Sequence, residues 1–155
     1  MEPRTEPQAI TLNQATHPTP PAPGEYWPGQ GGIYVGIARG EPGHPPYHLI
    51  LAEEAPKTKF TWQAAMDFAK TITADGHTDF VLPTRFESAL LYANVHDKID
   101  DDYWYWTSTV YGKASAWLQF FFNGRQLSYV QSDEFRARAV RRLNIQSFSA
   151  SEVSE

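Results

Sequence analysis

Trp117-Leu118-Gln119-Phe120-Phe121-Phe122-Asn123-Gly124-Arg125-Gln126-Leu127-Ser128-Tyr129-Val130 reads as a β-hairpin. Asn-Gly between two alternating runs is a strong hairpin signal, because a two-residue type I′ turn needs positive φ at both central positions. Such a turn pairs Phe122 with Arg125, Phe120 with Leu127 and Leu118 with Tyr129. On the opposite face it pairs Phe121 with Gln126, Gln119 with Ser128 and Trp117 with Val130. Opposed residues share a face. Leu118, Phe120, Leu127 and Tyr129, with Phe122 and Arg125 near the tip, form the expected core face. Trp117, Gln119, Phe121, Gln126, Ser128 and Val130 form a mixed aromatic and polar face. Flat rings beside adaptable hydrogen-bonding groups suit a recognition surface. The other reading of this face is packing under a loop or a neighbouring subunit.

Outward from the hairpin, Tyr105–Val110 and Ala137–Leu143 read as further strands. Upstream lie two helix signatures. Thr84 and Glu87 form a capping box after Pro83, and Phe86, Leu90, Leu91 and Val95 continue an apolar stripe. Thr61 is a candidate N-cap, and Trp62, Ala65, Met66, Ala69 and Ile72 predict a helix over 62–74. Gly76 is suited to the left-handed position that would end it. Before these, Ile33–Ala38 and Tyr47–Ala52 predict an antiparallel hairpin with a long Gly- and Pro-rich loop. The order is β-β-α-α followed by about four strands, an α+β class with two helices packed on antiparallel sheets.

The chain has 155 residues, enough for one domain with tails. Seven of the 12 prolines fall in the first 28 residues, so 1–29 reads as a Pro-rich arm, with Ala9–Leu12 able to form a short strand. The arm is either disordered or docked on a neighbouring subunit. The domain proper reads as 30–145 and the polar tail as 146–155. There is no cysteine, which excludes disulfides, cysteine nucleophiles and cysteine zinc sites. The net charge of −5 argues against nucleic-acid binding, and no apolar run reaches the ~18 residues of a membrane span. The start shows no secretory signal, which implies a cytoplasmic protein unless it is carried in a virion.

Aromatic residues are concentrated. Residues 103–129 hold ten of the 22 rings, where an even spread would place about four. Alternation along Tyr103-Trp104-Tyr105-Trp106 sends neighbouring rings to opposite faces, so some need a loop, a subunit or a ligand to cover them.

Three elements resemble one family in order and spacing. Gly76-His77-Thr78-Asp79-Phe80-Val81-Leu82-Pro83-Thr84-Arg85 resembles its G-x-x-D-W-R-L-P-T-R element, and Trp104-Tyr105-Trp106-Thr107-Ser108-Thr109 resembles its F-W-T-S-T. Ala116-Trp117, Phe120, Gly124 and Arg138-Ala139-Val140-Arg141 resemble its closing A-W…F…G…R-x-V-R. The family is the Lcl C-terminal-like domain, with a C-type-lectin-like fold. The resemblance implies structural roles for Leu82, Pro83, Thr84, Trp106, Ser108, Gly124 and Arg141. It also implies a phage or prophage setting, a virion or tail component, and a ligand surface on the C-terminal strands. Candidate contacts are then Tyr103, Tyr111, Lys113, Ser115, Trp117 and Gln119. Phe121, Asn123, Arg125, Gln126 and Ser128 complete the set.

No catalytic pattern competes. Gly-x-Ser-x-Gly, phosphate-loop and dinucleotide motifs are absent from the sequence. Calcium-dependent sugar binding in this fold would need Glu-Pro-Asn or Gln-Pro-Asp and Trp-Asn-Asp, and neither is present. Asp97, Asp100, Asp101 and Asp102 read as a solvated acidic loop, since their spacing matches no calcium loop. The five histidines are scattered, with His44 and His48 separated by Pro45-Pro46. Arg136, Arg138, Arg141 and Arg142 read as ion-pairing and strand-edge residues before they read as a nucleic-acid patch. The expectation is a non-enzymatic protein without cofactor or metal. Its partner is a protein or glycan on a cell surface, or another virion subunit, including a second copy of itself.

Overall fold

Gly32 sets the first sheet. A Cβ there would lie 2.1 Å from the Leu51 carbonyl oxygen, so only glycine lets the two strands approach this closely. In the computed structural model, which describes residues 19–145, strand β2 (Gly32–Ala38) pairs antiparallel with β3 (Tyr47–Leu51). The pairing runs from Ile33↔Leu51 to Ala38↔Tyr47, with a bulge between Tyr34 and Gly36. Strand β1 (Tyr26–Trp27) joins the outer edge of β2, and the last strand, β7 (Val140–Asn144), joins β3. The sheet order is therefore β1-β2-β3-β7, which places both ends of the domain in one sheet, on its opposite edges. The edge strand β1 lies within the stretch read as arm, and its Trp27 is buried with Tyr34 and Ile50. The strand expected over 9–12 and the tail from 146 lie outside the described residues.

Helix α1 (Trp62–Ala69) starts at Thr61, whose hydroxyl accepts from the Ala64 N–H. It is shorter than the apolar stripe implies. After Ala69 the chain tightens: Lys70, Thr71 and Ile72 each donate to the carbonyl three residues back. The run Thr71-Ile72-Thr73 is β-branched and disfavours another α-turn. Ile72 nevertheless stays buried. Asp75 and Gly76 do not cap a helix. Both have positive φ, 51° and 80°, and make a two-residue turn closed by reciprocal Ala74–His77 hydrogen bonds. Helix α2 (Arg85–Val95) carries the full capping box of Thr84 and Glu87 and passes into a 3-10 turn at His96–Lys98.

The second sheet is three-stranded, in the order β4 (Trp104–Tyr111), β5 (Ser115–Phe120), β6 (Gln126–Val130). Its hairpin register differs from expectation. Leu118 opposes Leu127, Trp117 opposes Ser128 and Gln119 opposes Gln126. The loop has four residues, closed by Phe120 N–H to Arg125 O at 2.8 Å and Gly124 N–H to Phe120 O at 3.0 Å. Gly124 has φ 81° but Asn123 has no positive φ, so a type I′ turn is not formed. The longer loop lets Phe121 leave the strand and enter the core, edge-on to Tyr105. The slip is by two residues, so each strand residue keeps its face.

Two apolar clusters hold the layers together. One lies between α1 and the second sheet and centres on Trp106, with Ala65, Ala69, Leu118 and Phe80. The Trp106 indole N–H donates to the Phe60 carbonyl at 2.7 Å, so its polar atom is satisfied inside. The other lies between α2 and the first sheet, with Val35, Leu49, Leu91, Val95, Phe121 and Val140. Tyr129, expected in the core, is 44% exposed and packs edge-on against Phe135.

Candidate functional site

One face of the second sheet packs on α1, and the opposite face is divided. Its inner half, Tyr105 and Gln119, is buried. Its outer half carries Tyr111, Ser115, Trp117, Ser128 and Val130, none of them buried. The bulge in β4 between Trp106 and Val110 places Tyr111 opposite Ser115. Tyr111 therefore meets Trp117 edge-on, with ring centroids 5.4 Å apart. Arg85, the first residue of α2, lies on Trp117 with its guanidinium carbon 3.5 Å from the ring centroid. The result is a row, Tyr111–Trp117–Arg85, flanked by Ser115 and Ser128.

Arg85 is fixed at both ends. Its backbone N–H donates to Thr109 Oγ1 at 3.0 Å, and its Nε donates to Gln126 Oε1 at 3.0 Å. Gln126 Nε2 donates in turn to the Arg85 carbonyl at 2.8 Å and to Gln119 Oε1 at 2.7 Å. This chain of amides holds the cation against the indole, an arrangement worth roughly 0.5–1 kcal/mol at an exposed site. Lys113 is exposed in the turn between β4 and β5, at the end of the row. Residues 103–132 carry no carboxylate side chain, so the row presents rings, hydroxyls and cations only.

The expected contacts thus separate into groups. Tyr111, Lys113, Ser115, Trp117 and Ser128 come together on one surface, with Gln126 beneath it. Gln119 and Phe121 are corrected: they are 0% and 2% exposed and serve the interior. Gln119 is an amide strut, and Phe121 is core because the longer turn swings it inward. Tyr103 is elsewhere, stacked under Arg136 at 3.5 Å. Asn123 and Arg125 sit at the hairpin tip, where Asn123 Oδ1 accepts from the Arg125 N–H. Arg85 was not expected here. Its place at the N-terminus of α2 was legible, but its contact with a residue 32 positions later was not.

A second polar cluster was also missed. Glu87 is 2% exposed and accepts two bonds from Arg142, Nε to Oε2 at 2.6 Å and Nη2 to Oε1 at 2.8 Å. It also accepts from Tyr47 OH at 2.5 Å and from the Thr84 N–H at 2.9 Å. Burial alone would push the Glu87 carboxyl up. The bonds from Arg142 and Tyr47 outweigh it and hold the carboxyl below its ordinary range. Tyr47 is pushed up to about 12, by burial first and by its bond to Glu87 second. The capping box marked Glu87 only as a cap; nothing in the sequence ties it to Arg142.

The remaining arginines divide similarly. Arg141 pairs with Asp79 at 2.8 Å and Arg136 with Asp100 at 3.3 Å. Arg138 is buried and donates instead to the carbonyls of Ala52 and Lys98. Asp100, Asp101 and Asp102 are exposed and bring carboxylate oxygens within 4.8 Å of one another, but Asp100 is already engaged by Arg136. His48 is buried against Trp27, with its Nδ1 2.8 Å from Tyr34 OH, and His77 Nε2 lies 2.9 Å from the Gly29 carbonyl. Among the described residues no helix is long and apolar enough to cross a membrane. No protein-family model matches the chain, and no curated protein matches it significantly.

Proposed function

We propose that the chain is a non-enzymatic recognition module on a C-type-lectin-like scaffold of the Lcl C-terminal-like kind, encoded by a phage or prophage and carried in the virion. It binds a protein or glycan on a cell surface through Tyr111, Trp117 and Arg85, with Ser115, Ser128 and Lys113 around them. The observation that carries this reading is the half-exposed row itself. Tyr105, Trp106 and Phe121 are absorbed by packing, while Phe122 at the hairpin tip and Tyr129 on the opposite face stay exposed at 67% and 44%. Only the Tyr111–Trp117–Arg85 row is braced from below by Gln126 and Gln119 and open above. A rigid aromatic and cationic platform with adaptable hydroxyls binds with little ordering cost. The scaffold assignment is supported by the shared sheet of the first hairpin and last strand, beside a separate sheet that carries the row. The non-enzymatic reading is supported by Glu87 and Tyr47, two groups with displaced pKa values, being spent on each other and on Arg142.

A second reading, a virion assembly component, draws on the apolar exposure around the row. Val110, Tyr111 and Val130 are 50%, 59% and 43% exposed, enough to seed a subunit contact. In that reading the Pro-rich arm docks on the neighbour. Size in solution separates the two. A monomer that binds an immobilised bacterial envelope fraction supports recognition. A concentration-dependent oligomer that Trp117→Ser dissociates, and that binds no envelope fraction, overturns it.

A further inference from the structure

A cleft of about 790 Å³ opens between the β2–β3 loop and the first turn of α2, and neither Tyr111 nor Trp117 lines it. Its size falls within the range of small-molecule sites. Two large apolar side chains stand unburied on its walls, Ile37 at 53% and Phe86 at 68% exposure, with Leu90, Pro42 and Pro45 beside them. Its floor is the Glu87–Arg142–Tyr47 cluster. Arg142 gives Nε and one Nη2 hydrogen to Glu87, and its Nη1 meets no acceptor among the described residues. A guanidinium has five N–H groups in a fixed fork. With one edge clamped on a buried carboxylate, the end-on edge, one N–H each from Nη2 and Nη1, is left over on a side chain that lines the cleft. That edge has the geometry of a second, end-on carboxylate contact. Glu87 itself has no such freedom, since both its oxygens already accept two bonds each.

We propose that this cleft is a binding site for a small molecule with an apolar, ring-sized body and a terminal carboxylate. The body lies between Ile37 and Phe86, and the carboxylate accepts from Arg142. The site is independent of the aromatic row and stands or falls separately from it.

The test is an NMR titration of the full chain with 4-phenylbutyrate, 4-phenylbutanamide and 4-phenylbutylamine. The acid should give saturable shifts at Ile37, Thr84 and Leu90, with a dissociation constant of a few millimolar, roughly the scale for a fragment of this size. The amide should bind more weakly, and the amine should give no saturable shift. Phe86→Ala is expected to fold, because its ring is mostly exposed, and to weaken the acid at least about fivefold. Arg142→Lys keeps a charge on Glu87 but removes the fork, and should abolish the preference for acid over amide. The proposal is overturned if the acid causes no shift up to about 20 mM. It is equally overturned if the amine binds as well as the acid, or if Phe86→Ala leaves affinity unchanged.

Discussion

Glu87→Ala should be among the most damaging single substitutions in α2, where Glu87 lies on the buried face with Leu91 and Val95. The carboxylate accepts four hydrogen bonds, two of them from one guanidinium, and it also closes the capping box. Removing one partner of a buried ion pair costs about 3–5 kcal/mol when the other charge stays buried. Here the Arg142 side chain is 39% exposed and can rehydrate, so the low end applies. Half the capping box adds roughly 0.5–1 kcal/mol and the orphaned Tyr47 hydroxyl about 1 kcal/mol, though these losses overlap. The expected total is about 3–4 kcal/mol, read as a shift in urea midpoint at pH 7. Glu87→Gln keeps the shape and one acceptor and should lose less, about 1–2 kcal/mol. The pH dependence gives a second reading of the same cluster. The folded carboxyl lies below its unfolded value, so its contribution is fully present above the unfolded pKa of roughly 4.3. It is lost as pH falls through the lower folded value. The gap between wild type and Glu87→Ala should therefore narrow in acid. A loss under about 1 kcal/mol at pH 7 would refute the clamp, as would a gap that stays constant down to about pH 3.

Other outcomes follow from burial and backbone. Phe121→Ser should cost about 3–5 kcal/mol and largely unfold the domain, while Trp117→Ser should cost about 1–2 and leave it folded; urea titration of both checks the division of the hairpin rings. Burial holds the His48 imidazole below its ordinary value, so its neutral form favours folding. That stability is present above roughly pH 6.5 and is lost as pH falls through the folded value, a slope that His48→Asn should flatten in melting curves between about pH 7 and 5. Gly124→Ala forces a side chain to φ 81° and sets a Cβ 2.7 Å from the Tyr92 ring, so a loss above about 1 kcal/mol is expected by thermal unfolding.

Local chemistry was the legible part of the fold. The capping box at Thr84 and Glu87, the succession of two strands, two helices and four strands from Gly32 onward, and the shared face of Leu118 and Leu127 follow from short-range rules that the structure keeps. What was not legible depends on distant partners. The Asn123-Gly124 pair suits a two-residue turn, but burying Phe121 between α2 and the first sheet favours a four-residue loop. The stripe ending at Ile72 suits a long helix, but β-branched residues and the Asp75–Gly76 turn end it early. Trp27 lies among prolines, yet it is anchored in the core by the pairing of Trp27 with Gly32. The candidate site shows the same limit. Alternation grouped Trp117, Gln119 and Ser128 correctly on one face but could not say which part α2 covers. The stacking of Arg85 on Trp117 and the clamp of Arg142 on Glu87, 55 residues apart, are products of the fold alone.

The open aromatic row is the proposed partner-binding surface. The direct measurement is saturation binding of the labelled full chain to a panel of bacterial envelope fractions, beside a Tyr111→Ser, Trp117→Ser double variant matched for folding by its circular dichroism. Saturable binding to at least one fraction, weakened at least about tenfold in the double variant, is the predicted result. Equal binding by both proteins, or none by the wild type across the panel, would contradict it.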